Sequence, residues 1–212
     1  MENQTRLDRS LKSGLNIETF EKFSRFAKTN PEAVQFEFEA TGASEGRVVH
    51  TTAKTGPYTL GGQRIDRAAR EYVYHIGAHK EVEEALGFTA PTDRPEPTEI
   101  VLAALTGCLN AAVSASALKR GLCLHHQEVR VRISWNPYVF LHLQNPEANG
   151  KLQDQFGKME VELIIEGENV TQEDISYLEE SMKRSAVYNL ICLPHACSQV
   201  VSTSSISKNR RH

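Results

Sequence analysis

A charge-free, alanine-rich segment of the chain is the feature that most limits its fold. Nineteen consecutive residues, 100–118, carry no charged side chain, and Cys108 lies near the centre of this segment. The segment is nominally long enough to span a bilayer. However, it is rich in alanine, lacks the aromatic flanks of a spanning helix, and contains four polar side chains: Thr106, Asn110, Ser114 and Ser116. It therefore predicts a helix buried on all sides inside protein, and no membrane partner.

Flanking residues mark the ends of this central helix. We expect it to begin at Thr98 or Glu99, after a proline-rich loop, and to stop at Gly121. Two basic residues precede that glycine, where cations suit the helix dipole. One side of the helix carries a narrow stripe of mostly small side chains: Leu105, Cys108, Ala112 and Ala115. Such a stripe allows close helix–helix approach, so we predict that the helix is shared between two chains in a homodimer.

Periodic patterns predict the remaining elements. Residues 16–30 are typical of a short amphipathic helix, and a second helix begins at Thr171 with a stripe that reaches Ser185. Alternating segments predict six strands, at 34–40, 47–53, 71–77, 127–135, 158–166 and 197–205. Residues 56–70 are expected to be irregular, and 135–156 to form a polar loop. The resulting order, β-β-β-α-β-β-α-β, is that of an α+β protein.

Composition excludes several classes of partner and location. The 212 residues suffice for one ordinary domain, and a net charge of −3 gives no general electrostatic reason to expect nucleic acid. The N-terminal sequence has no apolar segment typical of a secretory signal. Four cysteines in such a chain favour reduced thiols over a disulfide framework. We therefore predict a cytoplasmic protein.

Two segments carry a resemblance to a known family. "PTEIVLAALTGCLNAAVSASALKRGL" and, some sixty residues later, "EESMKRSAVYNL" resemble the OsmC/Ohr family. The resemblance covers roughly residues 33–203, and 1–32 look like an N-terminal extension with a short helix, ahead of an OsmC-like domain at 33–212. It implies an intertwined α+β homodimer that reduces organic hydroperoxides through a reactive cysteine, with no bound cofactor. Because this chain has no resolving cysteine in the family's position, we expect an external thiol as the reductant.

Site residues follow from the same resemblance. Cys108 matches the peroxidatic cysteine, and Ser185 stands where relatives carry a second, resolving cysteine. The family's acid falls next to Glu99, and its hairpin arginine has Arg47 as the nearest substitute. Glu99 lies nine residues before Cys108, about 13 Å away on the opposite side of the same helix, so contact would require a partner helix. Arg94 is the next candidate for the cation.

Alternative interpretations remain open at this point. The chain could be a non-catalytic dimer that binds a small apolar ligand or is purely structural, and Ser185 could be a small helix-packing residue. A cation or carboxylate near Cys108 would favour the enzyme, whereas a sulfur enclosed by alkyl groups would favour the binder. The remaining thiols and imidazoles fit no standard zinc spacing, so no metal is expected. They are Cys123, Cys192 and Cys197, with His125, His126 and His195. One of these three cysteines could instead act as an unconventional resolving thiol.

Overall fold

The computed structural model describes residues 13–66, 72–149 and 151–202. Its helices are α1 (Ile17–Thr29), α2 (Lys80–Ala85), α3 (Pro97–Arg120), α4 (Gln172–Ser181) and α5 (Ala186–Cys192), with 3-10 turns at Pro31–Val34 and Met182–Arg184. Its strands are β1 (Phe36–Ser44), β2 (Thr51–Leu60), β3 (Gln63–Ile65), β4 (Val73–Ile76), β5 (Cys123–Arg132), β6 (Glu147–Ala148), β7 (Lys151–Leu152) and β8 (Glu160–Glu168). The predicted α+β class is confirmed.

The first sheet is built around β2. Strand β1 pairs with β2 along one edge, and β3 and β4 pair with the two ends of β2 along the other, all antiparallel. The register of β1 and β2 shifts so that Gly56 and Pro57 face Glu39 at a bulge. A bulge is one of the few places in a sheet that tolerates the missing N–H of proline. The prediction that residues 56–70 are irregular is therefore wrong for 56–60 and 63–65, and 67–70 lie outside the described residues.

The hydrophobic core lies between α3 and the second sheet, which consists of β5 and β8 paired antiparallel. Helix α3 buries one row, in which Leu105 and Leu109 pack with Val129 of β5, and Val113 packs with Leu178 of α4. The apolar faces of β5 and β8 and the start of α5 complete this core. Helix α3, strands β5 and β8, and helices α4 and α5 therefore form one packed unit, in which α3 is the central element.

The predicted ends of α3 are confirmed. The helix begins at Pro97, one residue before the expected Thr98, and Glu96 caps it in a reciprocal pair with Glu99. It ends at Arg120, because Gly121 adopts the left-handed conformation (φ 80°) that closes a helix.

Burial of α3 differs from the prediction. Within one chain the helix buries a single side, and Cys108, Ala112 and Ala115 are half-buried at its edge. The opposite side is exposed and consists largely of small residues: Ala103, Ala104, Gly107, Ala111 and Ser114. The prediction of burial on all sides is therefore wrong for a single chain.

By length and composition, α3 is the one helix among the described residues that could cross a membrane. Core helices of soluble proteins share these properties, and α3 is the core helix of an α+β domain here. The fold carries no clear membrane-protein signal.

Two other predicted elements are corrected. The second predicted helix is not continuous, because a 3-10 turn and Ser185 separate α4 from α5. The predicted last strand is absent from 197–202, and 203–205 lie outside the described residues. The structure also contains two elements that the sequence does not predict. They are the short helix α2, and the β6–β7 ribbon, which lies within the predicted polar loop.

The start of α4 is fixed by the predicted capping box and by one ion pair. The Thr171 hydroxyl and N–H both donate to the Asp174 carboxylate, and the Asp174 N–H donates back to the hydroxyl. Arg120, at the end of α3, donates from Nε to the same carboxylate at 2.6 Å. The Thr171 hydrogen bonds, together with Arg120, hold the pKa of Asp174 at about 2. These contacts join the end of α3 to the beginning of α4.

The Asp174→Asn substitution is expected to lower the melting temperature at pH 7 by a few degrees. Because the folded pKa of about 2 lies below the ordinary value of 3.8, the carboxylate stabilises the fold fully above pH 4, and this contribution is lost as the pH falls toward 2. The difference between wild type and variant should therefore shrink over that range. Circular dichroism melts between pH 2 and 7 would measure it. The control is Glu173→Gln, an exposed partner of Arg120, for which a difference as large as that of Asp174→Asn would contradict this account.

Candidate functional site

Cys108 lies where α3 meets the beginning of α5. It is half-buried and follows Leu105, a core residue of the same helix, by one turn. Facing it are Ser185 and the first two residues of α5, Ala186 and Val187. The thiol is thus placed by the longest helix of the chain against the first turn of one of the shortest.

The chain turns at Ser185 because this serine caps α5. Its backbone is extended (φ −67°, ψ 124°), and its hydroxyl accepts a hydrogen bond from the Tyr188 N–H at 3.1 Å. The side chain of Asn189 donates to the Ser185 carbonyl at 3.0 Å and to the Lys183 carbonyl at 3.0 Å, which ties the turn together. The first N–H groups of a helix have no partner within it. Those of Ala186 and Val187 are therefore free to point at the sulfur of Cys108.

The surroundings of Cys108 favour its thiolate. Burial raises the pKa of the thiol, but hydrogen bonds from the Ser185 hydroxyl and from the Val187 and Ala186 N–H groups outweigh burial and hold that pKa below its usual range. A donor that stabilises the negative sulfur lowers a thiol pKa without removing the sulfur lone pairs. A hydroxyl can donate one hydrogen bond and accept another. The bond that Ser185 accepts from the Tyr188 N–H therefore leaves its O–H able to donate toward Cys108. The sulfur is therefore enclosed by polar donors as well as by alkyl groups.

Glu99 does not reach Cys108 within one chain. Its carboxylate accepts a hydrogen bond from the Glu96 N–H at 3.0 Å and lies 3.0 Å from His79 Nε2. The Glu96 N–H and His79 lower the pKa of Glu99, and Glu99 in turn raises the pKa of His79. Glu99 thus caps α3, and the expectation that it lies far from its own Cys108 agrees with this position.

The two candidate cations are bound elsewhere. Arg47 donates to the carbonyl oxygens of Thr89 and Ala90 at 3.0 to 3.3 Å. Its Nη2 lies 3.9 Å from the buried carboxylate of Glu83. Arg94 lies 2.9 Å from Glu45, which it holds at a pKa of about 2. Neither arginine is among the groups that shift the pKa of Cys108, so the structure brings Ser185 to the thiol, but not Arg47, Arg94 or Glu99.

Sequence reasoning missed the two backbone donors. Val187 and Ala186 contribute N–H groups, which no side-chain motif reveals. The available signal is the serine itself, because Ser is among the preferred residues at a helix N-cap. The apolar stripe of the predicted second helix continues through Ser185, so the pattern does not reveal the break between α4 and α5.

The other cysteines lie outside this contact. Cys123 is half-buried at the start of β5. Cys192 is exposed at the last position of α5, and Cys197 is exposed beyond it. All four thiols are free.

A family comparison identifies the packed unit around Cys108. Residues 90–196, about half of the chain, match the family described as OsmC-like protein. The chain belongs to this OsmC-like family. The matched segment includes Cys108, Glu99 and Ser185. It begins after the first sheet, so Arg47 lies outside it. The OsmC/Ohr resemblance of the two sequence segments is thereby confirmed.

Solved structures of OsmC-like proteins are similar to the chain at low identity. An OsmC-like protein from Mycoplasma pneumoniae is 13% identical, with a TM-score of 0.48 over 73% of this chain and 86% of that protein. An organic hydroperoxide resistance protein from Elizabethkingia anophelis is 16% identical, with a TM-score of 0.47 over 75% of this chain and 90% of that protein. No match was found among curated protein sequences.

Replacing Ser185 by alanine tests the donor set of this OsmC-like site. Ser185→Ala removes one of the three groups that lower the pKa of Cys108, so that pKa should rise and alkylation of the thiol near neutral pH should slow. Loss of the N-cap should cost about 1 kcal/mol of folding free energy. The pH dependence of iodoacetamide alkylation of Cys108, followed by peptide mass spectrometry, would measure the shift.

The matched control is Ser181→Ala. Ser181 is equally buried, but its hydroxyl donates to the Leu178 carbonyl at 2.7 Å. The Ser181→Ala variant should be less stable than the wild type, with no change in the pH dependence of Cys108 alkylation. Equal profiles for both variants would show that Ser185 does not tune the thiol.

Proposed function

We propose that the protein is a thiol peroxidase that reduces organic hydroperoxides through Cys108. One observation carries the proposal: the half-buried Cys108 faces the Ser185 hydroxyl and the Ala186 and Val187 N–H groups, and these donors hold the pKa of its thiol below the usual range. A thiolate is the nucleophilic form of cysteine. Membership of the OsmC-like family supports the same chemistry, because the resemblance implies a reactive cysteine at this position and a hydroperoxide as substrate.

The proposed reaction has two stages. The Cys108 thiolate attacks the distal oxygen of the hydroperoxide, the O–O bond breaks, and the alkoxide leaves as an alcohol after taking a proton from solvent. Cys108 becomes a sulfenic acid. A first external thiol condenses with the sulfenic acid, releasing water and forming a mixed disulfide, and a second external thiol then releases Cys108 and leaves as half of an external disulfide. The peroxide gains the two electrons that the external thiols lose.

The residue at position 185 determines how Cys108 is regenerated in this cycle. A serine cannot form a disulfide, so regeneration requires an external reductant. Such chemistry needs a reducing compartment, and we place the protein in the cytoplasm on that ground.

Treatment of the wild-type chain with an organic hydroperoxide should produce a sulfenic acid on Cys108 and no intramolecular disulfide. Dimedone trapping followed by mass spectrometry would detect the product. Ser185→Cys should instead form a disulfide with Cys108, because residue 185 faces Cys108 where α3 meets α5. That variant should then resist overoxidation to the sulfinic acid.

Two results would overturn the proposal in different ways. A disulfide between Cys108 and Cys192 or Cys197 in the wild type would mean that α5 does not end as described. An unoxidised Cys108, under peroxide that oxidises the exposed Cys192, would show an inert thiol and would favour the non-catalytic ligand-binding or structural dimer.

The same proposal includes a homodimer. In one chain the outer side of α3 is exposed and lined by small residues, among them Gly107 and Ala111. The first sheet is also uncovered, and Phe36 and Phe38 are 51% and 79% exposed on β1. A helix face and a sheet face of this kind need apolar cover. A second copy supplies both at once, since each chain carries both surfaces.

Ala111→Arg is expected to prevent this association. A charge at the centre of a close helix–helix contact would be buried without a partner. Sedimentation at micromolar concentration should show a dimer for the wild type, and monomer or aggregate for the variant. Ala148→Arg is the control, because Ala148 is an exposed alanine of the β6–β7 ribbon and should leave the dimer intact. A stable, folded wild-type monomer would contradict the proposed dimer.

A further inference from the structure

A second cluster of reactive side chains lies at the end of the second sheet. Cys123 begins β5, and Glu168, the last residue of β8, is its direct partner in the register. His125 lies two residues further along β5. The thiol sulfur, one imidazole nitrogen and one carboxylate oxygen all lie within 4.8 Å of one another. Within the described ranges of the chain, no other group of three such residues comes as close.

A bulge in β5 accompanies this arrangement. Leu124 pairs with Gly167 and His126 pairs with Glu166, which leaves His125 as the extra residue between them. Bulges of this kind re-aim a side chain and are common beside functional sites.

Gly167 permits the close approach of the two strands at the bulge. A Cβ atom added there would lie 2.6 Å from the Cys123 carbonyl oxygen and 2.9 Å from the Val170 side chain. Any other residue would therefore push the strands apart, and with them Cys123 and Glu168.

We propose that Cys123, His125 and Glu168 bind a Zn²⁺ ion. Thiolate, imidazole and carboxylate are the ligands that zinc takes in proteins, at about 2.3 Å for sulfur and about 2.0 to 2.2 Å for nitrogen and oxygen. At tetrahedral angles these lengths place the donor atoms about 3.3 to 3.6 Å apart. His125 Nε2 and Glu168 Oε1 are 3.4 Å apart, which matches this spacing. Binding displaces the Cys123 proton to solvent, and water takes the fourth position.

The thiol of Cys123 distinguishes this cluster from an ordinary surface ion pair. The adjacent pair of His126 and Glu128 has a similar separation, 3.6 Å, but no thiol belongs to it. Arg130 donates to Glu128 at 2.7 Å and so occupies that carboxylate. His125 and Glu168 are more than half exposed at their side chains, so an ion can enter from solvent.

The cluster is independent of the proposed peroxidase site. Cys108 lies twelve residues before the end of α3 at Arg120, about 18 Å along the helix axis. Cys123 comes three residues after that end. Loss of one site therefore leaves the other in place.

The test uses the full-length chain, freed of metal with a chelator. Isothermal titration with Zn²⁺ should give one ion per chain, and Co²⁺ as a probe should show thiolate-to-metal charge-transfer absorption. Cys123→Ser should abolish that absorption. It should also weaken Zn²⁺ binding by more than about tenfold, since even residues that only support metal ligands contribute this much. His125→Ala and Glu168→Gln should weaken binding similarly.

Three controls decide between this site and others. His126→Ala, Cys108→Ser and the double variant Cys192→Ser with Cys197→Ser should all retain the absorption and the affinity. Zn²⁺ should also raise the melting temperature of the wild type and of these controls, but not that of Cys123→Ser. Binding that survives Cys123→Ser but is lost in the double variant would overturn the assignment, as would the absence of stoichiometric binding to the wild type.

Discussion

The packing of α3 against the second sheet and against α4 and α5 determines where every group at Cys108 lies. The row of Leu105, Leu109 and Val113 contacts β5 on one side and the α4–α5 pair on the other. Because Cys108 is adjacent to this row, its orientation follows from the core. The capping box of α4 and its contact with Arg120 then fix the segment that leads to Ser185. The geometry at the sulfur thus depends on residues far from it in sequence.

Local signals explain which parts of the fold the sequence predicts well. Gly121 ends α3 because it adopts a left-handed conformation, and Thr171 begins α4 because its hydroxyl caps the helix. Both effects involve residues within four positions of one another, so the sequence contains them in full. The same is true of the strands β5 and β8, whose alternating residues face one core.

The sequence predicts the fold poorly where two local structures compete for the same residues. At Ser185 the chain either continues the helix or caps a new one, and the apolar period is the same in both cases. The capping hydrogen bond to Tyr188 and the Asn189 side-chain contacts favour the break. The sequence predicts an irregular segment at 56–70, but a bulge accommodates Pro57 within β2. The cluster of Cys123 and Glu168 depends on strand register across 45 positions of the sequence, which spacing rules for zinc ligands do not consider.

The two half-buried cysteines show how neighbouring atoms select the chemistry of one residue type. At Cys108 the neighbours are donors: a hydroxyl and two N–H groups stabilise a negative sulfur and leave its lone pairs available for attack. At Cys123 the neighbours are an imidazole nitrogen and a carboxylate, which carry lone pairs of their own. Three groups that each offer a lone pair, placed this close together, can share one cation. The donor environment therefore favours a nucleophile, and the acceptor environment favours a metal ligand, within the same folded unit.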